Sequence, residues 1–83
     1  MITKEELELL IQKEAIIYFV EFKDKKPSGL VPLNLKNAEL YYGLGKRYYL
    51  RTTTYWDTSL INLYRTKEEA ELVIKNFNAK ALV

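Results

Sequence analysis

Apolar and polar residues alternate along this chain with two different periods, and each change of period marks a change of element. Leu7, Leu10 and Ile11 recur at helical spacing behind Thr3-Lys4-Glu5-Glu6. That tetrad is a capping box, in which a threonine N-cap and a glutamate three residues on satisfy each other's amides. The spacing predicts a short helix over residues 4–13, with Ile2 and Leu7 at the staple positions and Leu9 off the stripe. Residues 15–22 then switch to a β-branched and aromatic run, the composition of a strand. Ile16, Tyr18, Val20 and Phe22 fall on one of its faces, Ile17 and Phe19 on the other. A strand that is apolar on both sides is expected in the middle of a sheet with something packed on each face.

Residues 23–29 gather charge, Pro and Gly and read as an exposed turn. Val31, Leu33 and Leu35 alternate with polar positions, so an extended, half-buried segment follows. Pro32 lacks an amide donor, which puts this segment at a sheet edge or outside the sheet. The best hairpin is formed by residues 38–42 and 47–56, with Gly43-Leu44-Gly45-Lys46 where the chain must reverse. A connection at Asp57-Thr58-Ser59 leads to a short strand over residues 60–65. Thr66-Lys67-Glu68-Glu69 repeats the capping box, and Ala70, Val73, Ile74 and Phe77 give an i, i+3, i+4, i+7 stripe. This predicts a helix over residues 67–78, with residues 78–83 as a frayed turn or a closing segment. The order implies a single α+β domain over residues 1–83: a largely antiparallel sheet of three to five strands on a C-terminal helix. The N-terminal helix is expected across the sheet's other face or its edge.

Composition narrows the chemistry. The 83 residues contain no His and no Cys, which excludes zinc fingers, thiol nucleophiles, disulfide scaffolds and every Ser–His or Cys–His arrangement. No cofactor and no metal are expected. The longest apolar run, residues 15–20, is far short of the roughly 20 residues that span a bilayer. Lys4-Glu5-Glu6 is too acidic to open a signal peptide, so the expected location is the cytoplasm of the cell that makes the protein. Glu5, Glu6, Glu68, Glu69 and Glu71 sit in the first turns of helices, where they serve caps and the helix dipole. Ser28 and Ser59 have no base in view, and Asp57 reads as a turn residue. Gly43 to Arg47 lacks the length of a P-loop and the Ser or Thr after its Lys. No catalytic constellation remains.

The formal net charge of +2 conceals a polarity. Residues 1–22 carry two Lys against five Glu, a net −3, and residues 52–83 balance at four of each sign. Residues 23–51 carry seven Lys or Arg against Asp24 and Glu39, a net +5. Such a segment attracts phosphate and acidic protein surfaces alike. Within it, strand alternation over residues 47–56 separates two sets of side chains. Tyr48, Leu50, Thr52, Thr54 and Trp56 form the expected core face. Arg47, Tyr49, Arg51, Thr53 and Tyr55 form the other, with Lys46 beside them and Tyr41 or Tyr42 adding a third phenol.

A face of Arg and Tyr admits three uses. Tyr, Trp and Arg dominate protein–protein hot spots. Aromatic platforms flanked by cations also bind single-stranded nucleic acid. Failing both, the rings stabilise cross-strand pairs or pack beneath the helix, with Arg stems covering them. The residues expected to bind a partner are Lys46, Arg47, Tyr49, Arg51, Tyr55 and Tyr41. A macromolecular partner, protein first and nucleic acid second, is the expectation; a membrane is not. Dimerisation through an exposed strand or the Tyr-rich face is also open to so small a core.

The succession over residues 47–78 of strand, turn, short strand and a helix opened by Thr-Lys-Glu-Glu-Ala resembles small proteins encoded by bacteriophages and mobile elements. The matching residues are Thr66 to Ala70 and the Val73, Ile74, Phe77 stripe. The resemblance implies a stoichiometric inhibitor or modulator of a host enzyme or defence system, of the kind that anti-CRISPR proteins exemplify.

Overall fold

Thr3 opens α1 (Lys4–Gln12) as its capping box requires: its hydroxyl accepts the Glu6 amide at 3.2 Å. Leu7 is fully buried, and Leu10 and Ile11 pack on the same cluster. The helix ends in a Schellman motif, with the Glu14 amide donating to Ile11 O and the Ala15 amide to Leu10 O, both at 3.0 Å. Glu14 holds the left-handed position there, at φ +53°, where glycine is the usual occupant. The computed structural model describes residues 2–55 and 58–81 of the chain.

Next come β1 (Ile16–Lys23) and β2 (Lys26–Asn34), joined by Asp24 and Lys25 alone. Both turn residues have positive φ, which matches the twist of the strands they connect and lets pairing run out to Lys23 and Lys26. The exposed turn expected over residues 23–29 is therefore shorter, and Pro27, Ser28 and Gly29 belong to β2. β2 tolerates Pro27 and Pro32 because it is an edge strand, as Pro32 implied.

A second hairpin follows, of β3 (Glu39–Gly43) and β4 (Arg47–Arg51) around Leu44, Gly45 and Lys46. The strand expected to continue to residue 56 stops at Arg51. Thr52 turns the chain instead: its hydroxyl accepts the Tyr55 amide at 3.0 Å, and its own amide donates to Tyr55 O at 2.7 Å. Thr54 is consequently exposed rather than on the core face, while Thr52 and Leu50 are buried as expected. Trp56 and Asp57, read as a core residue and a turn residue, lie outside the described residues, as do positions 82 and 83.

Thr58 and Ser59, expected as part of a connection, form a strand, and the strand expected over residues 60–65 divides in two. β5 (Thr58–Ser59) pairs with β4, a 3₁₀ turn (Leu60–Asn62) follows, and β6 (Leu63–Tyr64) pairs with β1. The Ser59 hydroxyl accepts the Ile61 amide at 3.4 Å and starts the 3₁₀ turn, which carries the chain from one sheet to the other. The result is an α+β fold with two antiparallel three-stranded sheets, ordered β2-β1-β6 and β3-β4-β5. α2 (Lys67–Ala81) closes the described chain and runs beyond the predicted residue 78. None of the described helices is long and apolar enough to cross a membrane.

β1 is central and covered on both faces, as its composition required. Val20 is fully buried on one side, where α2 contributes buried Ala70 and Phe77 meets Phe22 edge-on at 6.1 Å. Ile17 on the other side joins Leu33 and Leu63 of its own sheet, Leu50 of the second sheet, Leu7 of α1, and Leu35. Both sheets thus share one core. The two helix caps are also joined. Arg65 pairs with Glu6 from the first capping box and lies 3.6 Å from Glu69 of the second, where Thr66 accepts the Glu69 amide at 3.1 Å.

Two tests follow from these termini. Glu14→Gly relieves a left-handed non-glycine residue and should stabilise the protein by about 1 kcal/mol in denaturant unfolding; a loss would mean that Glu14 makes a compensating contact. The second concerns Glu6, whose carboxyl is held below its ordinary 4.5 chiefly by the Arg65 hydrogen bond, with help from the Thr3 amide. A lowered folded-state pKa gives stability that is present above 4.5 and lost as pH falls through the folded value. Glu6→Gln should lower the thermal midpoint by a few degrees at pH 7, and that difference should vanish on acidification below pH 4.5.

Candidate binding surface

The β3–β4 ladder sets Glu39 across from Arg51, Tyr41 from Tyr49, and Gly43 from Arg47. Directly opposed residues share a face. The alternate pairs, Leu40 with Leu50 and Tyr42 with Tyr48, share the other. Leu50 is buried and Leu40 packs on the core, so the second face points inward and the first outward. Tyr42 and Tyr48 lie on the inward side, nearer the hairpin end. There Tyr48 is half-buried, with the Lys4 ammonium 4.8 Å from its ring centroid, and Tyr42 remains 59% exposed.

On the outward face the Tyr41 and Tyr49 rings stack, with centroids 5.8 Å apart and planes at 28°. The Arg51 guanidinium carbon lies 4.9 Å from the Tyr41 centroid, a cation–π contact. The Tyr49 hydroxyl donates to Leu44 O at 3.2 Å and so ties the stack to the hairpin tip. Gly43 lies against both rings: a Cβ there would be 3.0 Å from Tyr49 Cδ2 and 3.3 Å from Tyr41 Cε2. Leu44 projects from the tip at 91% exposure. Tyr41, Gly43, Leu44, Tyr49 and Arg51 line an open hollow of about 510 Å³.

The predicted residues do not all meet. Tyr41, Tyr49 and Arg51 come together in that hollow. Lys46 and Arg47 line another, of about 400 Å³, with Tyr48, Ser59, Leu60 and Ile61. Tyr55 belongs to neither. The Thr52 turn takes it off β4, and its ring meets Phe19 edge-on at 5.7 Å while its hydroxyl donates to Glu21 Oε1 at 3.0 Å. That bond to Glu21 raises the Tyr55 pKa above its ordinary value. Its placement beside β1 corrects the expectation that alternation continues past Arg51.

Sequence reasoning missed Gly43 and Leu44 as members of the surface, because two glycines around a leucine read only as a turn. The signal was available: a strand glycine beside tyrosines marks a place where rings lie over the backbone. Chemically, this surface offers ring faces, a guanidinium and an aliphatic tip, which are groups for recognition. Among the described residues no three His, Cys, Asp or Glu side chains converge as metal ligands. Compared with protein-family models, with curated proteins and with solved structures, the chain matches none.

The stack depends on the missing side chain beneath it. Gly43→Ala gains strand propensity worth about 0.5–1 kcal/mol but pushes a Cβ into the Tyr49 ring, and such overpacking costs about 1–3 kcal/mol. The variant should be less stable by about 1 kcal/mol, with an altered near-ultraviolet tyrosine signal. Unchanged spectra would show the rings free to move aside.

Proposed function

We propose that this is a non-enzymatic binding protein that docks its outward β3–β4 face onto a protein partner and thereby blocks or modulates it. The observation that carries this reading is the Tyr41–Tyr49 stack beneath Arg51, tied to Leu44 by the Tyr49 hydroxyl. Tyr and Arg are the residue types that concentrate binding energy in interfaces. Rings held against each other before binding lose little side-chain freedom on docking. The exposed Leu44 beside them supplies an apolar anchor at the rim of the hollow. The resemblance of residues 47–78 to small phage and mobile-element proteins favours an inhibitor or modulator of a host enzyme or defence system.

The same residues support a nucleic-acid partner less well. Binding a single strand needs ring faces on which bases stack and cations that meet phosphates. Here the Tyr41 ring is already engaged by Tyr49 and Arg51, and Glu39 stands across from Arg51 on the same face. A carboxylate in that position weakens the attraction for a phosphate backbone.

The test is retention of a partner from lysate of the host cell, with nuclease and moderate salt, followed by titration of the purified pair. Arg51→Gln is the informative variant, because Arg51→Glu would also set two carboxylates across from each other at Glu39. Arg51→Gln should weaken binding by about thirtyfold, the loss expected of an interface hot spot, at an unchanged thermal midpoint. Affinity unaffected by the substitution, or retained material that disappears with nuclease, would overturn the reading.

A further inference from the structure

β5 pairs with β4 only at Tyr49 and Leu50. Continued further, that ladder would set Ile61 across from Arg47, but the chain leaves it at Leu60 for the 3₁₀ turn. The start of β4 is therefore uncovered on that side, and the hollow of about 400 Å³ opens there. Lys46, Arg47, Tyr48 and the Ser59 hydroxyl supply its polar groups, while Leu60 and Ile61 form an aliphatic wall. Ile61 is 61% exposed, so much of that wall faces solvent.

The charge of this hollow is unbalanced. Lys4, Arg65 and Lys67 each pair with a glutamate, and Arg51 stands across from Glu39. Lys75 shares its hollow on α2 with Glu71, and the lysines at 23, 25 and 26 surround Asp24 at an exposed turn. Lys46 and Arg47 pair with no carboxylate of the described residues, and no carboxylate of those residues lines their hollow. The Ser59 hydroxyl accepts the Ile61 amide, which leaves its own proton to donate. Two unspent cations and a hydroxyl donor around one hollow are the groups that hold an oxyanion.

We propose that this hollow binds an acidic segment of a protein. A carboxylate of that segment is held by Lys46, Arg47 and Ser59, and a neighbouring aliphatic side chain packs on Leu60 and Ile61. Charge complementarity sets the sign of the ligand, and the wall sets its class. A nucleic acid strand would need a ring on which a base stacks. The ring that lines the hollow, Tyr48, already has Lys4 over it and Tyr42 edge-on at 5.1 Å, so it offers a base a poor platform. An acidic, aliphatic stretch of polypeptide matches both halves of the lining.

This inference rests on the docking reading for the kind of partner and adds its charge; the residues differ, so each fails alone. The experiment is a titration of the isotope-labelled full chain with the blocked peptide acetyl-Glu-Leu-Glu-Leu-amide, followed by amide chemical shifts. The shifts should saturate with a dissociation constant of about 1 mM and be confined to residues 46–48 and 59–61. Arg47→Gln and Lys46→Gln should each weaken binding at least about threefold. Neither side chain has an ion pair to lose, so both variants should keep the thermal midpoint. The counterpart peptide with Gln for Glu should not bind, and an oligothymidylate should bind less tightly than the acidic peptide. Equal binding of the Gln peptide, shifts spread over the lysines at 23, 25 and 26, or tighter binding of oligothymidylate would each overturn the proposal. So would the absence of saturation. Arg51→Gln should leave peptide binding unchanged. A loss there would put the peptide on the outward face, overturning this site while leaving the docking reading in place.

Discussion

Ile17, Leu33 and Leu63 from one sheet meet Leu50 from the other in one buried cluster that also takes in Leu7, Leu35 and Ile2. A chain of 83 residues buries too little apolar surface to give two sheets a core each. Sharing one core is the constraint from which the remaining architecture follows. It requires the chain to cross from sheet to sheet within residues 58–64, where Thr58 completes β4 and Leu63 completes β1. It also sorts the faces. With Leu40 and Leu50 turned inward, Tyr41, Tyr49 and Arg51 are turned outward.

The helices are fastened to this core by more than apolar contact. Each starts at a threonine cap, and the glutamates of the two capping boxes converge on Arg65, just ahead of α2. One arginine thereby ties the N-terminus of α1 to that of α2, although they lie far apart in sequence. An exposed ion pair by itself contributes little. Here it acts on caps that already satisfy their own amides, so it fixes the relative placement of two helices that local chemistry has formed.

The outward hairpin face owes its geometry to a glycine and a hydroxyl. Gly43 leaves room for two tyrosine rings over the strand, and the Tyr49 hydroxyl anchors them to the backbone at Leu44. The rings then lie in a fixed stack beneath Arg51. A preformed surface of this kind suits recognition of a folded partner.

Local chemistry was legible in the sequence. The two capped helices, the doubly apolar β1, the edge position implied by Pro32 and the outward set of Arg47, Tyr49 and Arg51 all follow from spacing within a few residues. Such features depend on neighbours along the chain, and a sequence displays its neighbours. The end of β4 did not follow: the Thr52 hydroxyl bonds Tyr55 only three residues on, but a threonine in a β-branched and aromatic run reads equally as a strand residue, and composition does not say that the local turn wins. Tyr55 left the predicted face because of that turn and because Phe19 and Glu21, which receive it, are remote in sequence. Nor did the division of residues 58–64 between two sheets, since a strand's composition does not say which strand it will pair with. The sequence by itself determined which elements form and which of their faces are apolar. The shared core decided how those elements pair, because pairing is settled by burial among residues far apart in the chain.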